Sequence, residues 1–296
     1  MYSWITENGR SITNLPETGN LIVFSKLKEI HANLTFRGFS IKYACEGEET
    51  YTINGTKFKV SAGQYLLANN FAEGNVQIES KNPVKGICID FDTNLVAAAA
   101  ASFSRPDTPI PDQSLDLFFT TPAFLENQYM AKNTKIGALL LELDKLISAA
   151  PFVQHQFTEE LYLNLAERLV EDYKPIIPQL NAVPGMKLAT KKDLFRRLIL
   201  GKLFISEHFS KPLNIEDIAK EIGMSKFHFF RLFKQVFNQS PYQYLLQKRL
   251  EYAVALLKKG NASISEIAMD TGFSDIHAFS KAFKNTYGTS PSHFIK

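Results

Sequence analysis

Residues 215–241 read IEDIAKEIGMSKFHFFRLFKQVFNQSP, and residues 264–291 repeat the pattern as ISEIAMDTGFSDIHAFSKAFKNTYGTSP. The offset is 49 residues up to a shared glycine and 50 after it, so one extra residue lies near the start of the second copy's later helix. Self-similarity of this kind marks a repeated supersecondary unit. Asn214 and Ser263 suit helix N-caps, with Asp217 and Glu266 three positions on as a capping box requires, Asp217 being the weaker version. A short helix carries Ile218-Ala219 in one copy and Ile267-Ala268 in the other, the small alanine permitting a close crossing. Gly223 and Gly272 suit the left-handed residue that ends it. Ser225 and Ser274 are placed to cap a second helix, which buries Phe229 and Phe233 in one copy and Phe279 and Phe283 in the other. Ser240-Pro241 and Ser290-Pro291 each give an N-cap followed by proline at the first helical position. Short helix, glycine turn and second helix with a basic free face make a helix-turn-helix.

Between the copies, YQYLLQKRLEYAVALLKKG has no breaker before Gly260. It predicts one helix of about 18 residues, ~27 Å long. Such a connector holds two reading helices at a fixed distance, slightly below the ~34 Å between successive major grooves on one face of B-DNA. That shortfall favours bent DNA.

Charge divides the same way. Residues 186–296 hold 18 Lys+Arg against 9 Asp+Glu, whereas residues 1–185 hold 15 against 21. A basic C-terminal part points to a polyanionic partner there and not at the N-terminal part. Pro175, Pro178, Pro184 and Gly185 punctuate the join, where helix is not expected to run cleanly.

Ahead of the join, LIVF (21–24), LTFRGFSIKYA (34–44), EETYTI (48–53), TKFKV (56–60), QYLLAN (64–69) and VKGICIDF (84–91) read as short strands. Asn54-Gly55 between two alternating runs predicts a type I′ hairpin. Many short strands with turn signals suggest a sandwich or small barrel. Phe36, Phe39, Tyr43, Tyr51, Phe58 and Tyr65 either line a pocket in it or are ordinary core. Glu46, Glu48 and Glu49 read as an exposed strand end. After Asp92 the periodicity turns helical: Ile136, Leu139, Leu140, Leu143 and Ile147 form one apolar stripe, and Phe157, Leu161, Leu165 and Leu169 another. Either both stripes cover the barrel or they pair with a second copy of the chain.

Several function classes lack their signatures. No run approaches the ~18 apolar residues of a membrane span, and MYSWITENGR lacks the layout of a signal peptide, so a cytoplasmic location is expected. Cys45 and Cys88 read as buried free thiols rather than a disulfide. The barrel region carries His31 alone among the six histidines, so no metal site is expected. There is no G-x-S-x-G elbow, P-loop or dinucleotide fingerprint. No catalytic residue and no cofactor are expected.

The motifs IAKEIGMSKFHFFRLFK, KRLEYAVALL and ISEIAMDTGFSDIHAFSKAFKNTYGTSP resemble the DNA-binding domain of AraC/XylS-type bacterial transcription regulators. YACEGEETYTINGTKFKVSAGQYLLANN is similar in rhythm to that family's cupin-like sensor domain. The resemblance implies a multidomain α+β protein: a cupin-like β-barrel with flanking helices, then an all-α domain with two helix-turn-helix units. The expected boundaries are barrel 1–95, helical extension 96–175 with a role in dimerisation, linker 176–188, and DNA-binding domain 189–296.

By the same resemblance, seven helices place both reading helices in adjacent major grooves. The first presents Lys226, Phe227, Phe230 and Arg231. The second presents Asp275, Ile276, His277 and Lys281. Lys234 and Lys284 lie near phosphates. Arg231 suits a bidentate contact to guanine and Phe230 a thymine methyl. The alternative for Phe230 is inward packing and for Arg231 a solvated surface charge; His228 reads as a core or cap residue. Ala278 departs from the aromatic residue often found there, and Phe227, Phe230 and Ile276 make the reading faces apolar. Double-stranded DNA, a small-molecule effector, a homodimer partner and RNA polymerase are the implied partners. The expected function is a sequence-specific transcription regulator controlled by an effector in the barrel. The alternatives are an effector-free regulator whose barrel is a dimerisation or protein-interaction module, and an enzyme with a helix-turn-helix tail.

Overall fold

The Asn54-Gly55 dipeptide forms the expected turn. Asn54 has φ 48° and Gly55 φ 77°, the left-handed pair a type I′ turn requires, and Ile53 faces Thr56 across it. The computed structural model describes residues 1–10, 19–103, 117–185 and 187–294. Residues 11–18, 104–116 and 186, which fall in the expected barrel, extension and linker, lie outside the described residues. The chain divides into two units, Met1–Pro178 and Gln179–Lys296.

The first unit is built on a mixed nine-stranded sheet. Its strands are β1 (Tyr2–Thr6), β2 (Gly9–Arg10), β3 (Leu21–Thr35), β4 (Phe39–Glu46), β5 (Glu48–Ile53), β6 (Thr56–Ser61), β7 (Gln64–Ala68), β8 (Glu73–Phe91) and β9 (Asn127–Met130). β8 organises the sheet. It runs antiparallel to β3 along its length, while its first half pairs β5 and its second half pairs β4. β1 lies parallel to β3, and β9 adds to β7. Where Leu27 pairs Val84 and Glu29 pairs Glu79, residues 80–83 bulge out of β8, and a bulge of this kind bends the strand and accommodates Pro83.

Both faces of the sheet are covered. Ala44, Tyr51, Ile53, Phe58, Val60, Leu66, Ala68, Val76, Ile78 and Val84 gather with Phe36 into one inner cluster. The opposite face of β4 and β8 carries Phe39, Ile41, Tyr43, Ile87, Ile89 and Phe91, all buried. Helices α1 (Thr93–Ser102), α2 (Lys135–Ala149) and α3 (Glu159–Tyr173) follow. Tyr43 donates to Asp144 of α2 at 3.1 Å, and Tyr65 to the α2 N-cap Thr134 at 2.9 Å. Ile136, Leu140, Leu143 and Ile147 are buried within the chain, with Leu139 half-buried. In α3 the buried set is Tyr162, Leu165, Ala166, Leu169, Val170 and Tyr173; Phe157 precedes the helix. The six aromatic candidates therefore separate: Phe36, Tyr51 and Phe58 join the inner cluster, whereas Phe39, Tyr43 and Tyr65 lie on the other face of the sheet.

Three expectations are corrected. The run 34–44 is two strands, broken at 36–38. Glu49 is not part of an exposed strand end but is 4% exposed on the inner face, while Glu46 and Glu48 are exposed. The join holds a helix, α4 (Ile176–Ala182), because Pro178 sits in its first turn, where a missing N–H costs no helical bond. Both cysteines are free and half-buried. No helix among the described residues is long and apolar enough to cross a membrane, and no group of three or more His, Cys, Asp or Glu among them is placed to hold a metal ion.

From Leu188 on, the second unit holds seven helices among the described residues: α5 (Leu188–His208), α6 (Ile215–Glu221), α7 (Lys226–Phe237), α8 (Pro241–Lys259), α9 (Ile264–Asp270), α10 (Ile276–Tyr287) and α11 (Pro291–Phe294).

Candidate nucleic-acid interface

Two short-helix, turn, long-helix pairs, α6–α7 and α9–α10, flank the connector α8. Local chemistry fixes each pair. Ser263 and Glu266 form a reciprocal capping box at α9. Asn214 caps α6 by accepting from Glu216 N at 3.0 Å. Asp217 therefore closes no box at α6, its side chain being one methylene shorter than glutamate's. Gly223 (φ 67°) and Gly272 (φ 82°) make the two turns in the left-handed region. Ser240 and Gln243 form a second capping box with Pro241 at the first helical position, and Gly260 ends α8 in the left-handed conformation.

Ser225 caps α7 by accepting from His228 N, which leaves His228 half-buried beside the cap. The second copy differs. Asp275, not Ser274, is the N-cap of α10; its carboxylate accepts from Ala278 N at 2.7 Å and from Ser274 Oγ at 3.0 Å. The extra residue in that copy moves the cap one position along. The Ala278 amide, then Ser274, hold the Asp275 carboxyl below its ordinary range.

The connector joins the pairs through packing. Leu250, Ala253 and Leu257 of α8 share one core with Ile267, Ala268, Phe279 and Phe283. In the first pair Phe229 and Phe233 are wholly buried, and Phe233 lies 5.9 Å from Tyr244 of α8. Sequence reasoning missed two arginines that fix this frame. Arg249 donates to Phe209 O at 2.8 Å and Lys211 O at 3.0 Å, and stands over the Phe273 ring. Arg197 donates to Gly223 O at 3.0 Å and pairs with Asp193 one turn earlier. Only the Asp193–Arg197 spacing hinted at either.

The named residues fall on the free faces. Lys226, Phe227, Phe230, Arg231 and Lys234 are all exposed on α7, opposite the buried Phe229, Leu232, Phe233 and Val236. Phe227 is 86% exposed and Phe230 37%, so Phe230 does not pack inward; it lies 6.5 Å from Tyr242. Ile276, His277, Lys281 and Lys284 are exposed on α10, opposite Phe279 and Phe283. Lys226 meets Glu216 at 3.8 Å. Among the described residues no carboxylate pairs with Arg231, Lys234, Lys281 or Lys284. Four unpaired cations on two helix faces that also expose aromatic and aliphatic groups match the chemistry of phosphates and base edges.

Residues 218–296 match the family model described as a helix-turn-helix domain. The regulatory protein SoxS of Salmonella typhimurium is 36% identical over 91 residues, which span 31% of this chain and 85% of SoxS. A solved AraC-type DNA-binding regulator from Chromobacterium violaceum is 31% identical, covering 33% of this chain and 88% of that one, with a TM-score of 0.32. The chain belongs to the AraC family of transcriptional regulators. The raffinose operon transcriptional regulatory protein RafR of Pediococcus pentosaceus is 24% identical over 294 residues, 97% of each chain. Other curated relatives, the Msm operon regulatory protein of Streptococcus mutans and the HTH-type transcriptional regulator AlkR of Acinetobacter baylyi among them, match over about 90 residues, and the chain spans about a third of their length. A mixed sheet followed by a helical C-terminal helix-turn-helix domain fits an AraC-type regulator.

Proposed function

We propose that the second unit binds double-stranded DNA as two helix-turn-helix units, with α7 and α10 in successive major grooves. The unpaired cations Arg231, Lys234, Lys281 and Lys284 carry this reading, since each lies on a face turned away from its own core. In this scheme Arg231 and Phe230 read bases from α7, with Phe227 and Lys226 at its tip. Ile276, His277 and Lys281 do so from α10. Lys234 and Lys284 hold phosphates. Asp275 contributes by capping α10 rather than by base contact. The 19 residues of α8 span about 28 Å, which favours a duplex bent toward the protein. The AraC family membership and the basic charge of this half support the assignment.

The curved sheet of the first unit, read as a cupin-like barrel, is the sensor in this proposal. It acts from the cytoplasm on transcription by binding an effector in one arrangement of the protein better than another. The buried polar groups on its inner face favour this over an inert scaffold. A second reading, a barrel that serves as a dimerisation module, has Leu146 of α2 and Leu163 of α3 in its favour, both exposed. Selecting the bound site from random DNA, with and without cell extract, tests the function. Enrichment of a site with two recognition elements one helical turn apart is expected, and no enriched sequence at all contradicts it.

A further inference from the structure

A thiol, an ammonium and a carboxylate meet on the inner face of the sheet. Lys42 and Ser40 of β4 pair across the sheet with Cys88 and Asp90 of β8, and on their other side with Leu66 and Ala68. Leu66 and Ala68 belong to the inner apolar cluster, so all four side chains share that face. Lys42 donates to Cys88 Sγ and stands 3.6 Å from Asp90 Oδ1, to which Ser40 also donates. The Cys88 thiol in turn points at Asp90 Oδ2, 3.7 Å away. A buried ion pair seldom stabilises a fold better than apolar residues of the same volume would, and the surrounding cluster is aliphatic and aromatic. Folding alone gives no reason for this trio.

Its members complement one another chemically. Burial pushes the Cys88 thiol up to about 12, and the thiolate is the form that reacts. Oxidation at this sulfur therefore needs a base beside it and an acid for the departing oxygen. Asp90 is placed as the base. Lys42 is placed as the acid: burial disfavours its ammonium, but Asp90 and Cys88 outweigh burial and hold it protonated. The trio is not sealed, since the Asp90 side chain keeps 32% of its surface while that of Lys42 keeps 9%, and Cys88 is half-buried. The other cysteine is not placed to resolve an oxidised Cys88. Cys45 faces Asp144, the partner of Tyr43 on the opposite side of the sheet. Lys42 is the nucleophile at hand.

We propose that hydrogen peroxide joins Cys88 to Lys42 by a covalent S–N bond between β4 and β8. In the first step Asp90 takes the thiol proton, Cys88 Sγ attacks one peroxide oxygen and the O–O bond breaks, while Lys42 protonates the departing hydroxide. Cys88 is then a sulfenic acid, Lys42 a free amine, and one water has formed. In the second step the Lys42 nitrogen attacks the sulfenic sulfur, the S–O bond breaks, and the hydroxyl leaves as water with a proton from the amine. Sulfur is oxidised by two electrons and one peroxide becomes two waters. Asp90 keeps the thiol's proton, so both buried charges vanish together. The test treats the full chain with a small molar excess of hydrogen peroxide and maps its peptides by mass spectrometry without reductant. The peptide holding Lys42 should appear joined to the one holding Cys88, their summed mass short of two hydrogens, and a phosphine should release both. Cys88→Ser, nearly isosteric, and Lys42→Met should each abolish the joined peptide, with a cooperative melt showing that each variant folds. In Lys42→Met, dimedone should trap the sulfenic acid at Cys88. Cys45→Ser should cross-link as the parent protein does, and Asp90→Asn should slow the cross-link by roughly a hundred-fold. An unreacted Cys88, its oxidation to sulfinic or sulfonic acid without the joined peptide, or the same joined peptides in Lys42→Met overturns the proposal.

Discussion

Arg231 and Lys234 lie one turn apart on α7, exposed and without a carboxylate partner among the described residues, yet their expected roles differ. A guanidinium placed on a guanine edge discriminates between bases, whereas an ammonium near a phosphate attracts any duplex. Arg231→Ala should cost ~1–3 kcal/mol on the preferred site and relax the preference at one position. Lys234→Ala should weaken binding to every sequence alike and lower the slope of log K against log salt by about one. Titrations on matched and scrambled duplexes at several salt concentrations separate the two, and equal behaviour of Arg231→Ala and the parent protein would show that Arg231 reads nothing. In the first unit, Glu49 gives a pH signature. Its folded carboxyl is pushed above the ordinary range by burial, so the folded state holds a proton that the unfolded chain releases first. Stability should then fall as pH rises from the ordinary carboxylate range through the raised value. Glu49→Gln should flatten that decline in Tm; an unchanged pH profile would contradict the assignment. These residues also show what the sequence hides. Arg231 was legible because the helical period and the repeat place it opposite Phe229. Glu49 was not, because a glutamate beside Glu46 and Glu48 looks solvated until β5 pairs with β6 and turns it inward. The capping role of Asp275 was hidden because a one-residue insertion shifts the cap from Ser274.

At the scale of elements, the two glycine turns look equivalent in sequence but differ in their surroundings. A Cβ at Gly223 would meet only the end of Arg197 at 3.0 Å, while one at Gly272 would meet Ser210 O at 2.7 Å and Phe209 O at 2.9 Å. Both substitutions carry the ~1–2 kcal/mol penalty of a left-handed L-residue. Gly272→Ala adds a backbone clash, so it should lower Tm further than Gly223→Ala. Equal losses would mean that the second turn is not held against the end of α5. Hairpin, caps and connector were readable because each rests on a few adjacent residues. β1, β9 and the first half of β8 were not. The run EGNVQIESKNP buries only Val76 and Ile78 and becomes strand because β3 and β5 pair with it from both sides. Such pairing is a long-range property that no local window contains.

Over the whole molecule, the two units carry opposite net charge, residues 1–185 being acidic and residues 186–296 basic. The C-terminal half is basic, its spare cations are spread over two helix faces, and α8 shares packing with both pairs. This geometry makes a claim about DNA that a single reading helix cannot satisfy. Hydroxyl-radical footprinting of the full chain on its selected site tests it most directly, run beside Arg231→Ala and Lys281→Ala. Two protected patches about 10 base pairs apart on one face of the duplex are predicted, with Arg231→Ala weakening one patch and Lys281→Ala the other. A single patch, or both substitutions weakening the same one, would contradict the account.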